Sequence, residues 1–138
     1  MAYMASFIRD NWTLAGRGGA SLGSKLMTMD DRDALIIITK PPFAPRVINA
    51  AKIARAHGIY VVVISDTHTC EALRHASSGF IVPSNSPHFF SSYTATVFLV
   101  ETIIGKLAAQ TDASAAERIA MIEQLNRRLQ ETCSDNNL

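Results

Sequence analysis

The residues best placed for chemistry in this sequence carry hydroxyl groups and follow three apolar runs. The runs are DALIIIT (33–39), IYVVVIS (59–65) and GFIVP (79–83). The hydroxyl-bearing residues at or just beyond their ends are Thr39, Ser65, Thr67, Thr69, Ser84 and Ser86. Ligands of open α/β sheets bind outside the carboxyl ends of the strands, and helix N-termini at that edge favour anions. The pattern therefore favours a small polyol or a sugar phosphate, although each residue taken singly is also typical of a cap or turn.

Three more polar residues lie in the same segments. Lys40 supplies a positive point charge, Asp66 a carboxylate, and His88 an imidazole in what we expect to be the first turn of a helix. No second carboxylate or paired nucleophile accompanies Asp66, so no acid/base pair or triad can be assembled, and we predict no catalytic residue. The predicted ligand-binding residues are Thr39, Lys40, Ser65, Asp66, Thr67, Ser84, Ser86 and His88.

Motifs for nucleotides and metals are weak or missing. The stretch GRGGASLGSK fits neither GxGxxG nor GxxxxGK[ST], so it is better explained as a glycine turn. The four histidines show no HxxxH or HExxH spacing, and Cys70 and Cys133 form no CxxC motif. We therefore predict no metal and no cofactor. The N-terminus lacks the layout of a signal peptide, which favours a cytoplasmic protein with two free thiols.

Length, composition and charge indicate one globular domain over residues 1–138. The chain is 48% hydrophobic and 18% charged, which is enough apolar material for a substantial core. Its 13 basic and 12 acidic residues are nearly balanced and scattered. Direct binding of nucleic acid by this chain is therefore not expected.

The apolar runs and the patterns between them predict an α/β fold. The three runs are continuous rather than alternating, which is typical of parallel strands covered on both faces. Helical patterns span about Pro45 to His57, closed by Gly58, and about Thr69 to Ala76. At the N-terminus we expect a short helix in MAYMASFIRDNW, then a weak strand and a glycine-rich turn in residues 13–26.

Two longer helices are expected after the last strand. The first begins with Ser86 as its N-cap and Pro87 at the first helical position, and runs to about residue 110. Polar residues interrupt it too often for a membrane span, and its nearly all-round apolarity favours burial against both the sheet and a partner subunit. Covering by the last helix of the same chain is the alternative. That last helix, about 114–132, has a capping box at Ser114 and Glu117 and an apolar stripe.

Taken together, residues 33–109 resemble a sugar isomerase (SIS) domain, and most of all the effector domain of RpiR-type bacterial transcriptional regulators. The features that carry the resemblance are a buried strand with a polar turn, the helix ending ARAHG, the VVVISD strand, GFIVPSNSPHFFSS and the apolar helix. The resemblance extends over about 13–110. It implies a three-layer αβα sandwich with a mostly parallel sheet wound as in flavodoxin, a dimer or higher homo-oligomer, and recognition of a phosphosugar or related metabolite.

The sequence departs from that family pattern in two places. Family members carry Ser-x-Ser-Gly-x-Thr after the strand ending at residue 39, where this chain has Thr39 followed by KPPFA. Pro41 and Pro42 remove two backbone donors that would hold an anion. The family also opens with a strand before the first helix. We therefore expect an N-terminally truncated form that closes its sheet differently, borrows an element from a partner, or belongs to a longer protein.

Three functions remain open on this basis. The first is a non-catalytic SIS-like domain that binds a phosphosugar or related carbohydrate metabolite through a degenerate phosphate loop. The second is an aldose/ketose phosphate isomerase, for which His88 or Asp66 would have to supply the acid/base group. The third is an oligomerisation module whose pocket has decayed.

Overall fold

In the computed structural model the described residues are 1–15, 21–110 and 113–129. The chain divides into two compact units, one formed by Ala15–Phe98 and the other by Met1–Leu14 with Leu99–Leu138. The helices are α1 (Ala2–Ser6), α2 (Leu22–Met27), α3 (Pro45–Ala56), α4 (Thr94–Ala109) and α5 (Ala113–Arg128). The strands are β1 (Ala34–Ile38), β2 (Tyr60–Ser65) and β3 (Ser78–Ile81).

The three strands form a parallel sheet in the order β1-β2-β3. Ile36 pairs with Val62 across the first two strands, and Val63 pairs with Gly79 across the next two. Strands β1 and β2 form where β-branched residues are concentrated, because such side chains pack well on a pleated surface. The parallel α/β sheet predicted from the continuous apolar runs is confirmed, with all three strands in the expected places.

Helix α3 connects β1 to β2 and covers the sheet with a face of small residues. Ala51 and Ala54 are completely buried on that face, and Val61 and Val63 are completely buried on β2. Alanine lets a helix approach a sheet closely without voids. Pro45 begins the helix at its first turn, and Gly58 follows its end with φ of +78°. The helix therefore ends as the sequence predicted, because glycine accepts a positive φ without a Cβ clash.

Two short segments beside this core differ from the sequence prediction. Residues 21–26 form the cap and most of helix α2 rather than a turn, because the Ser21 side chain accepts a hydrogen bond from the Ser24 amide at 3.0 Å. Residues 13–15 form no strand, and residues 16–20 lie outside the described part of the chain. The predicted helix near Thr69–Ala76 is a short 3₁₀ helix, Glu71–His75.

The predicted start of the long apolar helix is wrong. Ser86 and Pro87 lie in an irregular segment, and α4 begins only at Thr94. Instead, the Ser92 hydroxyl accepts a hydrogen bond from the Thr94 amide at 3.3 Å. Side chains of the serine-rich segment bond to nearby backbone groups, which competes with the first helical turns.

Within α4, buried and exposed apolar residues alternate around the axis. Thr96, Val100 and Ile104 are buried at spacings of four residues. Val97 and Phe98 are exposed to 50% and 72%. The helix therefore buries one face and leaves a second apolar face accessible.

Helix α5 begins at Ala113, so Ser114 lies inside the helix rather than at its cap. Alanine is a strong helix former, which allows the helix to extend by this residue. The end of the predicted range 114–132, together with Cys133, lies outside the described residues. Arg118 Nε donates to the carbonyl of Ser6 at 3.2 Å, which joins α5 to the last residue of α1.

Candidate functional site

The carboxyl ends of the three strands lie side by side and bring two of the predicted site residues into register. The Thr39 amide donates to the carbonyl of Ile64 at 3.0 Å, and the Val82 amide donates to the carbonyl of Ser65 at 2.8 Å. These bonds extend the sheet ladder by one residue on either side of β2. Thr39 and Ser65 are therefore fixed by backbone geometry at the edge where α/β proteins bind ligands.

Asp66 and Ser84 form a direct contact at this edge. Ser84 Oγ donates a hydrogen bond to Asp66 Oδ2, which ties the segment after β3 to the end of β2. Asp66 Oδ1 is also buried, but it has no hydrogen-bond partner among the described residues. The Ser65 hydroxyl is in the same condition, and Ser65 as a whole is completely buried. Buried polar atoms are normally hydrogen-bonded, so these two atoms are the ones at this edge with capacity for a further hydrogen bond.

Lys40 is buried, with 8% of its surface exposed, although it carries a charge. Its ammonium group donates to the carbonyl of Ser92 at 2.6 Å and lies 4.5 Å from the centroid of the Tyr93 ring. Both contacts stabilise a charge that has been removed from water. The lysine therefore joins the end of β1 to the residues just before α4, and one of its three donors is used within the protein.

The turn after Lys40 combines exposed prolines with an apolar anchor. Pro41 and Pro42 are exposed and are joined by a cis peptide bond. Phe43 packs against the core cluster, and Ala44 offers no side-chain cap to α3. Neither proline has an amide hydrogen, so this turn presents few backbone donors to an anion.

The segment from Ser84 to Ser92 forms a loop that is closed at its base. The Ser92 amide donates to the carbonyl of Ser84 at 2.9 Å. Ser92 also accepts from Lys40, and Ser84 donates to Asp66. We call residues 84–92 the Ser84–Ser92 loop. Its base therefore lies against the ends of β1 and β2.

The tip of the Ser84–Ser92 loop is exposed. Phe89 is fully exposed, and His88 stacks on Phe90 with a centroid distance of 5.7 Å. The sequence analysis placed His88 in the first turn of a helix, and this prediction is wrong. The chain stays irregular through Tyr93, so His88 lies in the loop. Ser86 accepts a hydrogen bond from the His88 amide at 3.1 Å, a local turn contact within the loop.

Thr67 makes only local contacts in the described structure. Its hydroxyl lies 3.0 Å from the hydroxyl of Thr69 and accepts from the Thr69 amide at 3.3 Å. This pattern is a threonine turn that shapes the chain after β2. The structure thus brings Ser84 to Asp66 and Thr39 to the end of β2, and gives Thr67, Ser86 and His88 local contacts only.

Sequence reasoning missed three residues near this edge. Ser92 and Tyr93 hold the Lys40 ammonium, and Thr96, in the first turn of α4, is 3% exposed with its hydroxyl unpartnered among the described residues. The signal was the polar composition of SSYTAT within an otherwise apolar stretch. Polar residues spaced along an apolar helix mark positions that need a partner.

Neither a metal-binding cluster nor a membrane-spanning helix occurs among the described residues. No group of three histidine, cysteine, aspartate or glutamate side chains there is arranged to hold a metal ion. Among the helices of the same residues, none has the length and apolarity needed to cross a membrane.

A family model for the SIS domain matches residues 8–105, about seven tenths of the chain. The chain belongs to the SIS domain family. The resemblance seen in the sequence is therefore confirmed, and the match covers all three strands and most of α4. The matched range also contains every residue that the sequence predicts to bind a ligand, from Thr39 to His88.

A solved structure supports the same fold for this SIS domain. The sugar isomerase domain of an RpiR transcription factor from Sphaerobacter thermophilus superposes with a TM-score of 0.73 at 15% identity. The alignment covers 89% of this chain and 73% of that domain. A search of curated proteins returned no match.

Proposed function

We propose that this SIS domain is a non-catalytic effector domain that binds a phosphosugar or a related carbohydrate metabolite at the carboxyl ends of its strands. The observation that carries the proposal is the pair of buried, unpartnered polar atoms at the end of β2, Ser65 Oγ and Asp66 Oδ1. Polar atoms at the strand ends, where α/β proteins bind their ligands, can fix the orientation of a bound small molecule. A regulatory role is compatible with the fold, which is shared with the sugar isomerase domain of an RpiR transcription factor.

The contacts of the two candidate acid/base residues support the non-catalytic assignment. An aldose/ketose isomerase moves a proton between neighbouring carbons, which requires a base within hydrogen-bond reach of the substrate. Asp66 Oδ2 is occupied by the Ser84 hydroxyl, and His88 lies exposed on the loop tip, stacked on Phe90. No contact between Asp66 and His88 occurs among the described residues, so they do not form an acid/base pair.

We expect the turn after β1, which corresponds to the phosphate loop of the family, to bind phosphate with low affinity. The turn after β1 has no amide hydrogen at Pro41 or Pro42, and Lys40 is already bonded to Ser92. Each charge-assisted hydrogen bond that is missing lowers phosphate affinity by roughly tenfold or more. We therefore propose that the sugar part of the ligand contributes a large share of the affinity.

The second candidate function is oligomerisation without a ligand, and one observation favours it. Val97 and Phe98 expose a contiguous apolar surface on α4, and an apolar surface of this kind is typical of a subunit interface. A homodimer or higher homo-oligomer is compatible with both candidates. Only ligand binding separates them.

A thermal-shift panel of sugar phosphates tests the proposal. We expect at least one sugar phosphate or its parent sugar to raise the melting temperature of the wild-type domain at millimolar concentration. A panel without any shift would contradict the metabolite-binding function and leave the oligomerisation module. Interconversion of aldose and ketose phosphates at high protein concentration would instead establish an isomerase.

A further inference from the structure

We infer that the ligand of this domain presents a hydrogen-bond donor, a sugar hydroxyl or amino group, to Asp66 Oδ1 and Ser65 Oγ, and that its phosphate is not bound there. The inference rests on the proposed function and specifies which end of the ligand this part of the site receives. It follows from the groups that the two unpartnered atoms can bind.

Asp66 Oδ1 needs a donor. A carboxylate oxygen accepts hydrogen bonds and donates none, and this one is buried without a partner among the described residues. Its sister oxygen Oδ2 already accepts from Ser84, so the carboxylate is held in one orientation with Oδ1 available. A fixed acceptor of this kind selects for a donor group at a defined position.

Phosphate is the wrong partner for this carboxylate. A phosphate group carries negative charge and offers mainly acceptor oxygens, so its approach to Asp66 is disfavoured by like-charge repulsion. A sugar ring or open-chain polyol presents hydroxyl donors, and an amino sugar presents an ammonium donor. Either satisfies Asp66 Oδ1, and a hydroxyl can also bond to Ser65 Oγ, which both donates and accepts.

Lys40 does not change this assignment. The residue as a whole is 8% exposed, and its ammonium contacts the Ser92 carbonyl and the Tyr93 ring. An ammonium group has three donors, and one of them is already used by the Ser92 carbonyl, so Lys40 offers a phosphate only part of its hydrogen-bonding capacity. At the end of β2 an incoming ligand therefore meets the Asp66 carboxylate, an acceptor, while the Lys40 ammonium faces the base of the Ser84–Ser92 loop.

The buried Ser65 hydroxyl has the opposite effect on the stability of the ligand-free domain from its effect on ligand binding. A buried hydroxyl without a partner destabilises the folded state, so replacing it with an apolar side chain removes that penalty. Ser65→Ala should therefore raise the melting temperature of the ligand-free domain and lower its affinity for ligand. Opposite effects on stability and affinity are typical of residues kept for binding.

The test measures both properties for two variants and two matched controls. Ser65→Ala is compared with Ser78→Ala, whose hydroxyl lies 2.7 Å from the Tyr60 hydroxyl at the opposite ends of the strands. Asp66→Asn, which places a donor near the buried acceptor position, is compared with Asp31→Asn, an exposed carboxylate before β1. The probes are glucose 6-phosphate, glucosamine 6-phosphate, the two parent sugars and inorganic phosphate, each measured by thermal melting and titration calorimetry.

We expect Asp66→Asn to lower sugar-phosphate affinity by about tenfold or more and Ser65→Ala to lower it by about two- to tenfold. Both controls should keep wild-type affinity, and Ser65→Ala alone should melt higher than the wild type. A preference for glucosamine 6-phosphate over glucose 6-phosphate that disappears in Asp66→Asn would identify the donor as an amine, and equal affinities would identify a hydroxyl.

Two outcomes would overturn the inference while leaving the proposed function intact. One is a sugar phosphate that binds wild type and Asp66→Asn equally. The other is inorganic phosphate that reproduces the full shift and loses it in Asp66→Asn. Failure of every probe to bind the wild type would count against the inference and the proposed function together.

Discussion

The Lys40 ammonium lies 4.5 Å from the centroid of the Tyr93 ring and donates to the carbonyl of the preceding residue, Ser92. Lys40 follows β1 directly, and Tyr93 directly precedes α4, so one buried cation joins two distant parts of the chain. A buried charge stays in place only where such partners replace its water.

Replacing Lys40 with methionine should therefore destabilise the domain. The variant keeps an apolar stem of similar length but loses the charged hydrogen bond and the cation–π contact, with an expected loss of about 1.5–3 kcal/mol. Tyr93→Leu should lose about 0.5–1 kcal/mol, because it removes the ring contact alone. Urea unfolding measures both, with Lys52→Met on the exposed side of α3 as the control. Equal stability of Lys40→Met and Lys52→Met would contradict the role of the buried contact.

Ser84→Ala should destabilise the domain through Asp66. The substitution removes the donor to Asp66 Oδ2 and leaves both carboxylate oxygens without a partner among the described residues. The expected loss is about 1–3 kcal/mol, measured by thermal or urea unfolding. Ser86→Ala, which removes only a turn contact within the loop, should change stability by less than about 0.5 kcal/mol. Similar losses in the two variants would show that the Ser84–Asp66 bond is not important for stability.

Alanine at two glycines should act in opposite directions. Gly58 has φ of +78°, so Gly58→Ala forces a side chain into the left-handed region and should destabilise the fold by about 1 kcal/mol or more. Gly105 lies inside α4, and outside the adjacent backbone of that helix no atom of the described residues comes within 4 Å of an added Cβ. Gly105→Ala should stabilise by about 0.5–1 kcal/mol, because alanine is the better helix former. Calorimetric melting of both variants provides the check, and a higher melting temperature for Gly58→Ala would refute the prediction.

We expect the domain to form a dimer or a higher oligomer through α4. Val97, which is half-exposed, and the neighbouring Phe98 provide an apolar surface on that helix. Val97→Arg should shift the mass measured by light scattering at micromolar concentration toward the monomer. A charge reversal at exposed Lys52 should leave the mass unchanged. A wild-type domain that is strictly monomeric at these concentrations would rule out this interface.

The Asp30–Arg32 pair predicts a small effect of acid. The side-chain hydrogen bond from Arg32, and then its backbone amide, lower the pKa of Asp30 below its ordinary value. A lowered folded-state pKa means that the pair stabilises the fold above the unfolded pKa, and that this contribution is lost as pH falls through the folded pKa. In Arg32→Ala the pKa of Asp30 should rise toward its ordinary value in an NMR titration. An unchanged pKa would show that the exposed pair does not persist in solution.

The sequence was sufficient for the sheet because its signal is local. Continuous apolar runs predicted β1, β2 and β3, and Pro45 and Gly58 marked the ends of α3. The start of α4 was not predictable in this way. Ser86-x-His88 and Ser92-x-Thr94 offer similar capping geometry, and the choice between them depends on the hydrogen bond that closes the Ser84–Ser92 loop.

The candidate site could be predicted only in part for a related reason. Thr39, Ser65 and Asp66 follow strands, and strand ends of a parallel sheet meet at one edge. The contact between Lys40 and Ser92 spans 52 residues, and no pattern in the sequence relates them. Which polar atoms remain without a partner is also a property of the packed chain alone, so Ser65 Oγ and Asp66 Oδ1 could not be singled out beforehand.

Closure of the Ser84–Ser92 loop at its base divides it into a base that supports the sheet edge and a tip that does not. The Ser84 side chain and the Ser92 backbone carbonyl hold the ends of β2 and β1, so a change in the backbone path at the base of the loop disturbs the sheet edge. Residues 86–90 contact mainly one another and solvent in the described structure. A change in the length or composition of this short tip should therefore leave the scaffold beneath it in place.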